Sequence, residues 1–335
     1  MHKALVVAEA GMATVQDLGR SGWGHIGIPA NGAGDMYAAK VANTVVGNAP
    51  GGSLVEVTAS SFALVAQSRV LVAVTGAADR MLVDGFPLPT WEPLVLEPGQ
   101  RLAIAAPSVG LRSYVAVNGS VHADRVLGST SPDPLLGIGR TLRRGDVLSV
   151  ESALGVLDRS HFGIPLFRLG AVRPALSDHL VIDVTLGPDT DQFDETLQDR
   201  LRCSFTVSAQ SNSVGLRLAG AVPRRIVQSE ILSRGVPLGA IEIPPLGGLL
   251  ALLRGRPVTA GYPVVAVATT LARDLLGQAR PGGTIAFRPV DMTDAISGVR
   301  QRERLLHELA ARVGVVFHSL GLDDVLGTTH LSRTT

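Results

Sequence analysis

Short apolar runs dominate the chain, and glycine or proline separates most of them. Two turn pairs, Asp84-Gly85 and Pro98-Gly99, punctuate the strand-like runs of the first half, which are 70–75, 102–106 and 113–117. The second half repeats this style in the runs 181–185, 204–207, 240–243, 264–268 and 284–287. Regular short strands with close turns are typical of β-barrels and β-sandwiches rather than of alternating β-α-β units. The pattern therefore predicts a mainly β protein.

Four segments carry helical patterns. The first begins after an N-cap at Asp35 and ends near Val46, and the second has its predicted cap at Asp191. A third spans roughly 272–278. The fourth is indicated by an apolar stripe at helical spacing, formed by Ile296, Val299, Leu306, Leu309 and Val313.

Domain boundaries follow from where periodicity is lost. The stretch 151–180 shows no clear periodicity of hydrophobic residues. It is therefore predicted to be a linker between β-rich domains at 1–150 and 181–290. A C-terminal helix and tail occupy 291–335. A weak similarity between the two halves leaves open the duplication of one barrel.

Composition narrows the function classes. The 335 residues are 46% hydrophobic and only 18% charged, which predicts a large core and a surface partly covered by a partner. A net charge of +1 argues against nucleic-acid binding. The single cysteine, Cys203, and the absence of a membrane-length apolar run predict a cytoplasmic protein without a membrane span. No Met-Lys-Met segment is present, so the chain is not itself a biotin carrier.

The densest group of polar residues lies near the N-terminus. Gln16 and Asn31 could hydrogen-bond a planar amide substrate, and Arg20 offers a fork for a carboxylate. Asp17 is predicted to hold Arg20 or to move a proton, so Asp17 and Arg20 are candidate catalytic residues. The alternative is an internal Asp17–Arg20 pair in a glycine-rich turn, with Asp35 serving only as a helix cap although it is also a substrate-binding candidate.

Other candidates follow along the first half. Glu56, in an alternating strand, is a candidate catalytic acid or a solvent-facing strand residue. Asn43, Asn48 and Thr75 are candidate substrate-binding residues. Their structural alternatives are a fixed hydrogen bond inside a helix, a helix C-cap and an ordinary strand end.

The second half contributes three further substrate-binding candidates. Arg217 and Glu242 are charged residues beside apolar runs, and Tyr262 places a ring and a hydroxyl at a turn. Neither metal-ligand spacing nor a Gly-x-Ser-x-Gly motif occurs, so no metal site or covalent serine nucleophile is expected. The glycine/hydroxyl loops 128–131 and 137–139 are not Walker A loops, and we expect no self-sufficient ATP site.

The string Thr14-Val-Gln-Asp-Leu-Gly-Arg20 resembles the biotin-dependent carboxyltransferase family, which includes allophanate hydrolase subunit 2 and the C subunit of 5-oxoprolinase. The similarity covers roughly 4–290. Further matching strings are Gly27-Ile-Pro29, Gly32-Ala-Gly-Asp35, Val46-Gly-Asn48, Thr75-Gly-Ala77, Gly110-Leu-Arg-Ser-Tyr114, Gly215-Leu-Arg-Leu-x-Gly220, Thr259-x-Gly-Tyr-Pro263 and Asp274.

The resemblance implies two tandem cyclophilin-like β-barrels with a few helices. It also implies a partner, the B subunit of 5-oxoprolinase (allophanate hydrolase subunit 1), and the A subunit of 5-oxoprolinase is a further expected partner. In such complexes ATP drives the opening of 5-oxoproline to glutamate. In the alternative reaction a carboxyl group moves from biotin on a separate carrier to urea. A third alternative is a non-catalytic regulator that binds the B subunit.

Two departures from the family pattern involve charge. Arg234 stands where the family usually has glutamate, and Glu242 stands where it usually has glutamine. These exchanges favour an altered site in the second half, so the first-half motif is the stronger predictor of function.

Overall fold

The computed structural model describes residues 2–134, 136–154, 168–227, 230–245 and 247–326. Residues 155–167 of the predicted linker and the end of the predicted tail, beyond 326, lie outside the described residues. The predicted mainly β fold with few helices is confirmed.

The first half is built from two antiparallel sheets that pack face to face. Its strands are β1 (His2–Glu9), β2 (Ala13–Gln16), β3 (Leu54–Thr58), β4 (Phe62–Ala66), β5 (Val70–Gly76), β6 (Met81–Val83), β7 (Phe86–Leu88), β8 (Pro93–Leu96), β9 (Arg101–Ile104), β10 (Arg112–Val117) and β11 (Val147–Glu151). One sheet has the order β11-β1-β4-β9-β6-β7 and the other β2-β3-β10-β5-β8. Alternate residues of both sheets, such as Leu64 and Val72, form the core between them.

The second half is a closed barrel. Its strands are β12 (His179–Leu186), β13 (Phe205–Val207), β14 (Gly215–Ala219), β15 (Arg234–Gly235), β16 (Ala240–Glu242), β17 (Leu249–Leu252), β18 (Thr259–Ala260), β19 (Val264–Ala268) and β20 (Thr284–Pro289). The barrel order is β12-β19-β16-β17-β14-β13-β20, while β15 and β18 form a separate pair. Closure satisfies both edges of each barrel strand, and aromatic rings such as Phe205 and Phe287 fill the interior.

The helices are α1 (Met36–Val45), α2 (Leu197–Arg202), α3 (Thr270–Gln278) and α4 (Met292–Ser319). As predicted, Asp35 caps α1 by accepting from the Ala38 backbone amide at 2.9 Å. The predicted cap at Asp191 is wrong, because Asp191 lies in a short 3-10 turn and the chain is extended at Phe193 before α2 begins. Within the described residues, no helix combines the length and apolarity that a membrane span needs.

The long C-terminal helix α4 follows the barrel but packs on the first domain. Its stripe Leu306, Leu309, Val313 and Phe317 is buried in one cluster with α1 and the outer face of the β5–β10 pair. Burial of each such side chain contributes about 1.5–3 kcal/mol. The prediction of this stripe holds except at Ile296, which is 44% exposed.

The two domains meet in a tight junction at the start of α1 and the end of α3. A Cβ on Gly277 would overlap the backbone oxygen of Gly34, so glycine permits the close approach. Gln278 is buried there with all its amide hydrogen bonds made. Its oxygen accepts from the backbone amides of Leu111 and Arg112 at 3.0 and 2.9 Å. Its nitrogen donates to Asp35 Oδ2 at 2.9 Å and to the Arg112 carbonyl at 3.0 Å. A satisfied buried network fixes the relative placement of the domains.

Candidate active site

A cavity of about 990 Å³ lies between the two domains, and α4 walls its third side. The first domain lines it through β2, β3 and the loop before α1. The second domain lines it through the loop after β17 and through α3. Concave spaces of this size between domains are common sites for small molecules.

Basic side chains outnumber acidic ones at the wall of this cavity. The acidic residues are Glu56, Asp274 and Glu303, and the basic residues are Lys40, Arg112, Arg140, Arg254, Arg273 and Arg302. Burial lowers the pKa of the Arg254 and Arg273 guanidinium groups, but a guanidinium stays protonated near neutral pH. The surplus of positive charge favours an anionic ligand such as a carboxylate.

Gln16 presents an amide to the cavity from the end of β2. Its Nε2 donates to Thr14 Oγ1 at 3.3 Å, whereas its Oε1 is buried and has no hydrogen-bond partner in the described structure. A buried acceptor of this kind is costly unless a ligand or water donates to it. Gln16 therefore lines the cavity, but its unpartnered group is an acceptor rather than the donor that would orient a substrate oxygen.

Glu56 lies opposite Thr14 on the neighbouring strand β3 and also lines the cavity. Its Oε2 accepts from the Gly34 amide at 2.8 Å and from the Tyr114 hydroxyl at 2.9 Å. Its Oε1 lies 3.4 Å from Nε of Arg112. Burial, followed by the Glu56 and Asp35 charges, raises the pKa of Tyr114 well above its usual range, so the phenol remains a donor. Glu56 thus orients Arg112 at the wall of the cavity.

Asp274 is the second carboxyl group at the wall, and it lies on α3. Its Oδ1 accepts from the Met36 backbone amide at 2.9 Å, and its Oδ2 accepts from Arg302 Nη1 at 2.8 Å. Burial raises its pKa to about 7, and the Asp35 carboxyl adds to this effect while Arg302 opposes it. Burial also raises the pKa of Asp35. A carboxyl that titrates near neutral pH can both donate and accept a proton during a reaction.

Asp17 and Arg20 lie away from the cavity, which corrects the predicted role of Arg20 in binding a substrate carboxylate. Arg20 is 2% exposed, donates to the Ser131 carbonyl and places Nη1 3.9 Å from Asp133 Oδ2. Asp17 accepts from Ser129 Oγ at 2.6 Å and from the Thr130 amide at 2.9 Å. Burial alone would raise the pKa of Asp17, but these and two further hydrogen bonds lower it. Asp17 is therefore a structural anion and not a proton carrier at neutral pH.

A substitution of Arg20 by methionine is expected to reduce stability rather than substrate affinity. It leaves the buried Asp133 carboxylate without the guanidinium, and breaking a buried ion pair costs about 3 kcal/mol. Thermal unfolding should show a lowered Tm, while KM of the folded enzyme stays near the wild-type value. An increase in KM without a change in Tm would show that Arg20 binds the substrate.

Asn43, Asn48 and Thr75 are buried structural residues outside the cavity lining, so the predicted substrate contacts are not formed there. Asn43 Nδ2 donates to the Gly52 carbonyl at 2.7 Å, and Asn48 Nδ2 donates to Asn43 Oδ1 at 3.0 Å. Thr75 Oγ1 donates to the Ala38 carbonyl at 2.7 Å and thereby ties β5 to α1. Each group is fully used within the fold.

Asn31 lines the cavity, but its side-chain nitrogen is already bound within the fold. Its Nδ2 donates to Asp133 Oδ2 at 2.7 Å, and its carbonyl accepts from Arg254 Nε at 2.6 Å. Arg254 also donates to the Leu18 carbonyl at 2.8 Å, so this residue joins the barrel to the first domain. Asn31 therefore acts in domain placement. Asp35 acts as the helix cap and does not line the cavity.

Arg217, Glu242 and Tyr262 belong to the barrel and do not line the cavity, so their predicted substrate contacts are not formed in it. Arg217 is exposed on β14 and Tyr262 is 38% exposed at a turn. Glu242 is buried, and this burial raises its pKa to about 7 while Arg234 partly opposes the shift. Arg234 forms its ion pair with Asp189 and not with Glu242.

Most charged residues at the cavity wall were not among the predicted site residues, and they include Arg112, Arg254, Asp274 and Arg302. Arg112 and Asp274 lie within the matching strings on which the family resemblance depends, and that was the signal available for them. Arg254 and Arg302 carry no motif, because the fold alone brings them to the cavity.

Comparison with known proteins identifies the family of the chain. The family model described as carboxyltransferase domain, subdomain A and B, matches residues 26–289. The chain is 32% identical to the C subunit of 5-oxoprolinase from Escherichia coli over 92% of its own length and 98% of that protein. It is 29% identical to the urea amidolyase of Lachancea kluyveri over 85% of its own length and 17% of that protein.

A solved structure supports the same relationship. The Kluyveromyces lactis urea carboxylase is similar with a TM-score of 0.82 and 26% sequence identity, covering 91% of this chain and 29% of that one. The chain thus matches the Escherichia coli protein over nearly the whole length of both chains. It matches only one part of the much longer urea amidolyase and urea carboxylase. It belongs to the carboxyltransferase domain family, subdomain A and B, as the N-terminal string predicted.

Proposed function

We propose that this chain is one component of an ATP-dependent, multi-subunit 5-oxoprolinase-type enzyme and that the interdomain cavity binds the amide substrate. The proposal depends on one observation: an unpaired amide acceptor, a surplus of guanidinium groups and a titratable carboxyl share one cavity. The relative matched over nearly its full length, which is named as the C subunit of 5-oxoprolinase, supports the choice of reaction. The substrate, 5-oxoproline, carries both a lactam and a carboxylate.

The cavity offers complementary groups for each end of that substrate. Gln16 Oε1 would accept the ring N–H, which satisfies its missing hydrogen bond. Arg112 lines the cavity while its Nε faces Glu56, and with Arg273 it would bind the carboxylate. Glu56 keeps the Arg112 guanidinium in place.

Asp274 would supply the proton that lactam opening requires. As water adds to the carbonyl carbon and the C–N bond breaks, the ring nitrogen becomes an amine and needs a proton. Because the pKa of Asp274 is about 7, a substantial fraction is protonated at neutral pH. The net reaction consumes 5-oxoproline, ATP and two water molecules and releases glutamate, ADP and phosphate, because one water opens the lactam and the other hydrolyses ATP.

ATP would supply activation of the lactam oxygen, and we assign its binding to the B or A subunits of the complex. The loop 128–131 does not fit a phosphate cradle, because Ser129 Oγ and Ser131 Oγ both donate to Asp17 Oδ1 at 2.6 and 2.8 Å. These hydroxyl groups are occupied within the fold. This chain would therefore bind and orient the amide, and the partner would present the nucleotide.

Coexpression with the A and B subunits tests the proposal. The assembled complex should release glutamate from 5-oxoproline only when ATP and this chain are both present. Complexes that lack this chain, and reactions without ATP, are the controls. A correctly assembled complex that leaves 5-oxoproline intact contradicts the proposed reaction.

A biotin-dependent carboxyltransferase acting on urea is the second candidate. The fold similarity to urea carboxylase favours it, as does a cavity far larger than a five-membered lactam. In that reaction biotin would arrive on a separate carrier protein. Turnover of urea, but not of 5-oxoproline, with a biotinylated carrier and ATP distinguishes it. Partner binding without either activity would identify the third alternative, a regulator of the B subunit.

A further inference from the structure

The helix α4 lies beyond the part of the chain that the family model matches, which ends at residue 289. It nevertheless contributes Val299, Arg302, Glu303 and Leu306 to the wall of the cavity. Its buried apolar stripe fixes it against α1, and a Cβ on Gly298 would meet Leu271 of α3. The helix is therefore rigidly placed across both domains.

Arg302 reaches from α4 into the cavity wall and makes two defined contacts. Its guanidinium carbon lies 4.4 Å from the ring centroid of Tyr37, and its Nη1 donates to Asp274 Oδ2 at 2.8 Å. The side chains of Arg302 and Asp274 are 24% and 15% exposed. Because the Tyr37 ring already restrains the long Arg302 side chain, pairing with Asp274 costs less conformational entropy.

Every element around Asp274 presents a charged or polar group to it. The start of α1 contributes the Met36 amide and its N-cap contributes the Asp35 carboxyl, while α3 contributes Arg273. The loop after β17 adds the charge of Arg254. Arg254 donates to the Asn31 and Leu18 carbonyls, and Arg273 donates to Thr270 at 2.7 Å. Among these described cations, Arg302 is the one that hydrogen-bonds the Asp274 carboxylate.

We propose that Arg302 is a positioning residue that fixes the orientation of the Asp274 carboxyl at the wall of the cavity. The proposal rests on the proposed function for the catalytic use of Asp274. Met36 engages one carboxyl oxygen and Arg302 the other, so the carboxyl cannot rotate freely. A nearby cation opposes the effect of burial and of Asp35, and its removal should allow Asp274 to hold its proton to higher pH.

The direction of the stability effect follows from linkage. The pKa of Asp274 is higher in the folded state, about 7, than in the unfolded chain, about 3.9. Protonated Asp274 therefore stabilises the fold fully below about pH 3.9, and this stabilisation is lost as the pH rises to about 7. Without Arg302, the upper end of this window moves to higher pH. Tm measured as a function of pH therefore reports on Asp274 without any requirement for turnover.

The test compares Arg302→Gln with Arg304→Gln, an exposed arginine on the same helix. In Arg302→Gln, the pH at which Tm stops falling should rise by about one unit, which corresponds to a tenfold change in proton affinity. The midpoint of the pH–rate profile should rise by the same amount. Arg304→Gln should leave both unchanged. Arg302→Lys restores a point charge without the planar fork and should recover part of the shift.

Two further results separate this inference from the proposed function. Adding Arg302→Gln to Asp274→Asn should produce no pH shift, because the titrating group is gone. If Arg302→Gln shifts the pH dependence of Tm but the wild-type complex does not turn over 5-oxoproline, the proposed function is wrong. The inference that Arg302 positions Asp274 still holds in that case. An unchanged pH dependence in folded Arg302→Gln and Arg302→Lys overturns the inference.

Discussion

Asp274→Asn is expected to reduce kcat of the assembled enzyme by about 10²–10⁴-fold, the usual contribution of a general acid or base. Asparagine has nearly the same shape, but its single side-chain oxygen can accept from only one of the Met36 amide and Arg302, and its amide does not titrate as an acid. The substrate contacts at Gln16 and Arg112 are untouched, so KM should change little. Steady-state kinetics of glutamate release at several pH values provides the measurement.

The matched control is Asp199→Asn, which removes a carboxylate that is 86% exposed on α2. It should retain wild-type kinetics. If the Asp274→Asn complex keeps the wild-type kcat across the pH range, Asp274 does not transfer a proton in the reaction. The cavity would then serve binding alone, and the proton donor would have to come from a partner.

Gly277→Ala is expected to reduce the free energy of unfolding by about 3 kcal/mol, the upper part of the range for overpacking a well-packed interior. The new Cβ would overlap the Gly34 backbone oxygen, and two backbone segments cannot yield as a flexible side chain does. The domains must separate locally, which would also disturb the Gln278 network. Denaturant unfolding measures the loss, and activity should fall with it.

Gly314→Ala in the interior of α4 is the control, because a Cβ there meets open space. It should stabilise the protein by up to about 1 kcal/mol through helix propensity. A Gly277→Ala variant as stable as the wild type would show that the junction adjusts easily. The account of a rigidly held cavity would then be wrong.

Local chemistry made parts of the fold predictable. The cap at Asp35 and the end of α3 at Gln278 depend on residues next to them in the sequence, and both are confirmed. The uninterrupted apolar run of β5 was identified as a strand, and the structure gives the reason for its lack of alternation. α1 covers one face of β5 and the opposite sheet covers the other.

The site was less predictable because the direction of a side chain is not encoded locally. Arg20 and Gln16 are four residues apart in one string, yet Arg20 points into the interior and Gln16 lines the cavity. Asp274 binds the amide of Met36, a contact between residues separated by 238 positions. Arg302 reaches Asp274 only because α4 turns back onto the first domain. Such contacts depend on topology, which spacing in the sequence does not reveal.

The position of 5-oxoproline in crystals of this chain with its partner proteins tests the account most directly. We expect the ligand between the two domains, with its ring N–H on Gln16 Oε1 and its carboxylate on the Arg112 side of the cavity. A saturated crystal with the ligand on another surface, and an empty space between the domains, would contradict the central claim.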